Sequence, residues 1–268
     1  MFIKHTPSIQ IGLWYHNQNV DIVWFDKQNQ AQCLHLDDVD LLDLPGALTR
    51  HSNYLRRSAS YKYITSIMPH QIWQKTLILP HNLTPAECEQ QCHFTLTNEL
   101  PIPINEIWYD YAATPLKQGF RLEIFAIRQQ IAKDYLHQFA PLQIDVLDNT
   151  AKAILRATEY VLGKPFPANA VLLYQDALGA LAVQHKLQQT QTLFQTDKNL
   201  TALLAQYCQR YDDEQPEQIF YYQMVRNDSV VPKHWRPVET HLPLIALGNA
   251  LWQQEIHKED DELFRSFS

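Results

Sequence analysis

Two cysteines four residues apart are the first residues in the sequence whose spacing could support chemistry. Cys88 and Cys92 fall on one face of a predicted helix, where paired thiolates could bind zinc. A structural zinc site needs two more ligands, yet His93 lies off that face and no second pair follows. Cys33 and Cys208 are the other two cysteines, and we interpret the pair Cys88 and Cys92 as core thiols in a reducing cytoplasm.

Catalytic motifs are absent from the sequence. It has no G-x-S-x-G elbow, no Walker loop, no H-E-x-x-H and no G-x-G-x-x-G. Ser58 and Ser60 lie near His51 but have no identifiable third partner. The charged residues of segment 255–261 could grip a divalent ion, although such a run is more typical of a solvated tail. The sequence therefore predicts no catalytic residue and no metal site.

Charge and glycine content restrict the ligands that the protein can hold. The net charge is −7, from 22 basic and 29 acidic side chains, which argues against a direct nucleic-acid surface. A basic and aromatic run at 53–66 is the one alternative, and it is more typical of a solvated helix face. Only 6 glycines occur in 268 residues, which disfavours phosphate-binding loops because these need glycine where the backbone approaches the ligand.

Hydrophobicity indicates a packed globular chain. Hydrophobic residues make up 46% of the sequence, yet no apolar run is long enough to cross a bilayer. The first ten residues lack the apolar core of a signal peptide. We therefore expect a cytoplasmic protein that meets a membrane only through a partner.

The stretch 73–111 predicts a strand, a helix and a second strand. Residues 76–79 are β-rich and end at a proline. Thr84 then begins a helix, because its hydroxyl can accept a backbone N–H while Glu87 reaches back to the cap. Two prolines end this helix just after Leu100, since proline lacks the N–H that a helix needs.

The rest of the chain predicts two further groups of strands and helices, with turn residues and helix caps between them. Strands are expected in a hairpin over 9–25 with a polar turn at 16–19, and at 31–36, 106–113, 120–127, 143–147, 170–175, 179–185, 190–196 and 218–225. Helices are expected at 129–139, 150–162 with a cap at Asp148 or Asn149 and an end at Gly163, 199–211 and 242–253.

The central stretch resembles the PilM family, actin-like cytoplasmic proteins of type IV pilus assembly, and in style it is most similar to the ComA competence branch of that family. The matching residues are Lys75, Leu77, Leu79 and Pro80, then Pro103, Glu106, Ile107, Asp110 and Tyr111.

This resemblance implies an α/β, actin-like (ribonuclease H-like) two-domain fold with a small inserted α/β subdomain. Residues 1–70 would begin the first domain and 71–147 would form the inserted subdomain. Residues 148–268 would form the second domain and the closing helix. The chain is shorter than typical family members, which suggests a trimmed second domain.

The first nucleotide-binding turn of the family is poorly matched. Where the family usually reads DIGSSSVK, this chain places Trp14, His16 and Asp21 at the aspartate, glycine and lysine positions. An acid in place of the lysine would repel phosphate. We expect the hairpin to survive without its phosphate chemistry.

Asp176 and Gly179 are the residues that could remain from the second phosphate loop, and a polar β-turn is the alternative interpretation. The third turn, at 226–228, lacks the glycines that would accept adenosine. We therefore expect no cofactor, with an ATPase that still binds ATP and Mg²⁺ as the alternative function.

The resemblance implies a scaffold rather than an enzyme. Its partner would be a PilN-like inner-membrane protein, whose N-terminal cytoplasmic peptide would hold this chain at the inner membrane for pilus assembly or DNA uptake. Self-association is a further option. The cytoplasmic domain of a type II secretion L protein is a third interpretation, which would require a following membrane span.

The candidate partner-binding residues lie on the strand 106–113. They are Glu106, Trp108, Tyr109 and Asp110. Alternation along a strand sends Trp108 and Asp110 to one face and Tyr109 to the other, so one face can pack on the helix while the other meets a partner. The alternative is that both faces are core.

Overall fold

A computed structural model describes residues 8–36, 43–51, 60–186, 190–211, 216–224 and 231–254. The strands are β1 (Ile9–His16), β2 (Asn19–Phe25), β3 (Ala31–Leu36), β4 (Tyr61–Ile67), β5 (Trp73–Leu79), β6 (Ile107–Pro115), β7 (Phe120–Arg128), β8 (Val146–Asn149), β9 (Ala170–Gln175), β10 (Ala180–His185), β11 (Thr190–Gln195), β12 (Gln218–Gln223) and β13 (Arg236–Pro237). The helices are α1 (Leu44–His51), α2 (Pro85–Glu99), α3 (Gln129–His137), α4 (Thr150–Leu162), α5 (Leu200–Arg210) and α6 (Leu244–Ala250).

Two five-stranded sheets share one strand order. The first is β3-β2-β1-β4-β8 and the second is β11-β10-β9-β12-β13. In each sheet the first three strands of this order form an antiparallel meander. The last two strands are parallel to the third, which is β1 in the first sheet and β9 in the second. This repeated ribonuclease H-like order is the actin-like architecture, so the predicted fold class is confirmed.

Helix ends follow the predicted caps. The Thr84 hydroxyl accepts the N–H of Glu87 at 3.3 Å, and the Glu87 carboxylate accepts the N–H of Thr84 at 2.7 Å. The Asn149 side chain begins α4 by accepting the N–H of Ala151, and Gly163 ends α4 in a left-handed conformation with φ 64°. Both helices therefore begin where sequence rules place them.

Helix α6 is wedged between the first sheet and α4. A methyl group on Gly12 would overlap the carbonyl oxygen of Ala246, and one on Gly248 would overlap that of Ala153. The side-chain amide of Asn249 donates to the carbonyl of Leu13 at 2.8 Å. Two glycines thus let the last described helix lie directly against elements from both halves of the chain.

The small sheet has the order β5-β7-β6 and is covered on one face by α2. The prediction that strand 143–147 completes this subdomain is wrong, because β8 pairs in parallel with β4 of the first sheet, with Ile64 opposite Val146. Tyr135 and Phe139, in and just after α3, likewise pack into the core of the first sheet. Local sequence indicates a strand but not the sheet that receives it.

Candidate functional site

A cleft of about 450 Å³ lies between the uncovered face of the small sheet and a wall formed by β8, α4 and the end of α6. The small sheet supplies the floor from β6 and β7. Its volume falls within the range of about 300–1,000 Å³ that is usual for ligand sites. The lining residues are Ile67, Ile72, Trp108, Tyr109, Asp110, Tyr111, Ala112, Phe125, Ala126, Ile127, Leu147, Asp148, Asn149, Lys152, Arg156, Trp252 and Gln253.

Strand alternation divides the predicted partner-binding residues between two faces. Trp108 and Asp110 are exposed on the cleft face. Tyr109 points to α2, where its hydroxyl donates to the Glu89 carboxylate at 3.0 Å. Glu106 precedes β6 on a short 3₁₀ turn and does not line the cleft. The structure therefore brings together two of the four candidates, and the backbone of Tyr109 lies beside them.

Basic side chains of α4 form the opposite wall. The Lys152 ammonium lies 4.1 Å from the centre of the Phe125 ring, and burial lowers the pKa of this lysine while Glu123 acts in the opposite direction. The Arg156 guanidinium binds the Asp148 carboxylate and donates to a backbone carbonyl of α6. Sequence reasoning missed both residues, although their i, i+4 spacing places them on one helix face.

Two tryptophans line the cleft, and each has a lysine over its ring. Trp108 is 41% exposed, and the Lys133 ammonium lies 5.8 Å from its ring centre. The Lys62 ammonium lies 4.0 Å from the ring centre of the half-buried Trp252. We call these two tryptophan–lysine pairs the mouth of the cleft. They combine aromatic surface with positive charge, which suits an extended segment bearing carboxylates.

The first hairpin turn is filled by its own side chains. Asp21 is 4% exposed and lies between two histidines, with His16 Nε2 at 2.9 Å from one carboxylate oxygen and His35 Nδ1 beside the other. The indole N–H of Trp14 is buried and has no hydrogen-bond acceptor within the described ranges. At this turn, the residues at the positions of the family's glycine and lysine, His16 and Asp21, thus form a buried acid–imidazole pair, which the half-exposed His35 joins.

The second hairpin turn is closed by Asp176. One carboxylate oxygen accepts the N–H groups of Leu178 and Gly179 at 2.8 and 3.2 Å, and the other accepts the hydroxyl of Tyr174 at 3.2 Å. Burial raises the pKa of Asp176, and these hydrogen bonds and nearby His16 act against that shift. The contacts are those of a side chain that holds its own turn, which matches the alternative interpretation of this sequence.

Several predicted residues lie outside the described ranges, namely the third turn at 226–228, Ser58 and the charged segment 255–261. In the part of the chain that the structure covers, no three potential ligands group as a metal site. Cys88 and Cys92 are buried against the small sheet, and burial raises the pKa of Cys92 to about 11. None of the described helices is long and apolar enough to cross a bilayer.

Comparisons with solved structures find the same architecture in secretion and pilus proteins. The cytoplasmic domain of EpsL, an inner-membrane component of the type II secretion system of Vibrio cholerae, superposes with a TM-score of 0.55 at 12% identity over 92% of this chain and 96% of that one. A PilM–PilN type IV pilus biogenesis complex gives 0.53 at 16% identity, covering 80% and 81%. This chain shares their fold.

A third structure, a Bacteroides thetaiotaomicron protein of unknown function with an actin-like ATPase fold, gives a TM-score of 0.45 at 10% identity over 85% of this chain and 87% of that one. No family model matches the sequence, and no curated protein matches it. At these identities the likeness is one of fold.

Proposed function

We propose that this chain is an assembly scaffold of a type IV pilus or type II secretion machine and that it binds a segment of a membrane protein in the cleft beside the small sheet. Two solved structures with this fold come from such machines. The single observation that carries the proposal is the open cleft, where Trp108 and Asp110 remain available to a partner.

The chemistry of the cleft supports an extended peptide as the ligand. Its floor is a half-exposed sheet face, its mouth carries aromatic rings, and its wall carries basic groups. Aromatic anchors dominate the energetics of protein interfaces, and truncating one often costs about 2 kcal/mol or more. Trp108 is the best-placed anchor because its ring is exposed and its backbone lies within a strand.

The finer assignment follows the resemblance to the PilM family, ComA branch. In this proposal the partner is a PilN-like inner-membrane protein, and its N-terminal cytoplasmic peptide occupies the cleft. The scaffold would then act in the cytoplasm at the inner membrane, in a pilus that serves DNA uptake. Self-association would add further copies to the same platform.

Titration calorimetry tests this proposal. The probe is the synthetic N-terminal peptide of the single-span membrane protein encoded next to this chain. We expect binding to the wild type and a loss of about thirtyfold in affinity in Trp108→Ala. Phe94→Ala is the matched control, because Phe94 is an exposed aromatic on the outer side of α2. Equal affinity in all three proteins would reject the cleft as the binding site.

An actin-like ATPase is the second candidate. It is favoured because Asp176, in the hairpin turn after β9, lies near enough to His16 of β1 for the histidine charge to act on the pKa of the aspartate. Mg-ATP at 100 times its dissociation constant would stabilise the protein by about 2.7 kcal/mol. We expect no such stabilisation, because both turns hold their own side chains. Low-micromolar binding that is abolished by Asp176→Ala would establish the ATPase site instead.

A further inference from the structure

The described chain ends at the rim of the cleft. Trp252 and Gln253 line the cleft, and Gln254 is the last described residue. The side chain of Gln254 is held near Gln10 at 3.4 Å and by a bond to the carbonyl of Ala250 at 3.2 Å. Residues 255–268 therefore start beside the site that we assign to the partner.

The composition of segment 255–268 complements the mouth of the cleft. Four consecutive acids, Glu259 to Glu262, are followed by Leu263 and Phe264. At the mouth, Lys62 and Lys133 lie over the two tryptophans, and neither pairs with a carboxylate in the described part of the chain. An acidic run followed by apolar residues thus matches a basic rim around an aromatic floor.

The charges inside the cleft do not oppose this match. Asp148 is compensated by Arg156, and Lys152 is the remaining basic group of the wall. Asp110 is the other acid of the lining, and its carboxylate accepts the N–H of Tyr111. The lining is therefore close to neutral, and the two rim lysines give the mouth its positive charge.

The segment is also long enough to reach across the cleft. An extended chain advances about 3.3 Å per residue, so Glu259 can lie up to about 17 Å from Gln254. The four acids then cover about 13 Å more. Leu263 and Phe264 would follow the acids toward Trp108.

We propose that residues 255–268 of this same chain bind in the cleft, with Glu259–Glu262 at the rim lysines and Phe264 near Trp108. The segment then competes with the membrane partner for one site, and this competition rests on the proposed function. The cleft is then self-occupied until a stronger partner segment displaces its own chain.

Tethering makes even a weak contact effective. A short flexible connection gives an effective concentration on the order of 1 mM. A free segment with a Kd of about 0.1 mM would then occupy the cleft in about nine molecules of ten. The apparent affinity for a competing peptide is proportional to the fraction of molecules whose cleft is open. Because about one molecule in ten is open, that affinity weakens about tenfold.

A fluorescence experiment on the full chain tests the docking without any partner. Cys33 and Cys208 are changed to serine, Ser266 is changed to cysteine, and that cysteine carries a bimane label, which tryptophan quenches on contact. Cys88 and Cys92 are retained because they are buried. The matched chain carries Trp108→Phe, which keeps an aromatic ring and removes the quencher.

We expect the label to be brighter in the Trp108→Phe chain than in the Trp108 chain. That difference should disappear at high salt and in a chain with Glu259→Gln, Asp260→Asn, Asp261→Asn and Glu262→Gln. Equal brightness in the Trp108 and Trp108→Phe chains would overturn the docking. A difference that survives neutralisation of the four acids would overturn the charge pairing on which it is built.

The partner peptide then separates the two proposals. In the acid-neutralised chain we expect it to bind about tenfold more tightly than in the wild type. If quenching is seen but the peptide binds neither chain, the proposed function fails and the docking stands. If the peptide binds both chains with equal affinity, the competition is refuted while the proposed function stands.

Discussion

The cleft beside the small sheet and the pair of hairpin turns use similar residues in opposite ways. In the cleft, Trp108 and Asp110 are exposed, and among the described residues the Asp110 carboxylate binds only the neighbouring backbone N–H of Tyr111. In the turns, Asp21 and Asp176 are buried, and each carboxylate oxygen has a partner from the chain itself. An aspartate at the first site is available to a ligand, whereas those at the second already hold the structure together.

This difference teaches where the fold can accept something from outside. The carboxylates of the two turns are bound internally, so a ligand there must displace a buried network. The cleft needs only to lose water from a half-open aromatic surface. We therefore expect the small sheet to bind a partner and the turns to contribute to the stability of the fold.

The largest effect should come from breaking the buried cluster. Asp21→Ala removes a buried carboxylate that the buried His16 and the half-exposed His35 share, so we expect the free energy of unfolding to fall by about 3 kcal/mol. Asp110→Ala at the exposed site should stay within about 0.5 kcal/mol of the wild type. Urea denaturation of both variants checks the contrast. Similar losses in the two would remove the distinction between the sites.

The two faces of β6 provide the next test. Trp108→Ala should reduce affinity for the partner peptide by about 2 kcal/mol and leave the fold intact. Tyr109→Ala should instead lower stability by about 1 kcal/mol, because its hydroxyl bond to Glu89 and its packing on α2 are lost. Calorimetry and thermal circular dichroism measure the two quantities separately. If both folded variants bind like the wild type, this strand is not part of the interface.

The pH dependence of stability reports on the closed turn. Burial raises the pKa of Asp176 in the folded state above its usual value of 3.8, which the unfolded state keeps. Between the unfolded and the folded pKa, the folded state therefore binds more protons than the unfolded state. Stability should therefore fall as pH rises through that window, by at most about 1.4 kcal/mol per pH unit. Denaturation of the wild type and Asp176→Asn over this range gives the difference. A wild-type stability that rises relative to the variant would contradict the assignment.

The helix cap of α2, on the far side of the small sheet from the cleft, should give the smallest effect. Thr84→Ala removes the acceptor of the Glu87 N–H at the start of α2, and we expect a loss of about 1 kcal/mol. Thermal melting measures it, and Thr84→Ser is the matched control because serine keeps the hydroxyl. Peptide affinity should not change, since α2 covers the opposite face of the small sheet. A melting temperature equal to that of the wild type would show that the cap does not stabilise α2.

Local sequence signals predicted most of the elements, but the interpretation of the run 53–66 as a solvated helix face is wrong for its second half, which forms the largely buried strand β4. The capping box at Thr84, the cap at Asn149 and the end at Gly163 all appear as expected, because each depends on residues within a few positions. The alternation of Trp108 and Tyr109 was also predictable, since it follows from strand geometry alone. These features need no knowledge of distant parts of the chain.

What could not be predicted depends on long-range pairing. The pattern of β8 indicates a strand, but its place beside β4 follows from the assembled core. Lys152 and Trp252 reach the cleft from elements far from β6 in sequence, so no local motif connects them. His35 could have been found, because pairing the strand 31–36 with the first hairpin sets it opposite Asp21.

The close fit of α6 has a consequence for how the protein is made. Asn249 donates to the carbonyl of Leu13 across 236 positions, and Gly12 touches the same helix. While the ribosome is still adding residues, the face of the first sheet that receives α6 has no cover. The N-terminal half therefore cannot finish folding ahead of the C-terminal half, as successive domains usually do. A chain that stops short of residue 250 exposes that surface to chaperones and proteases.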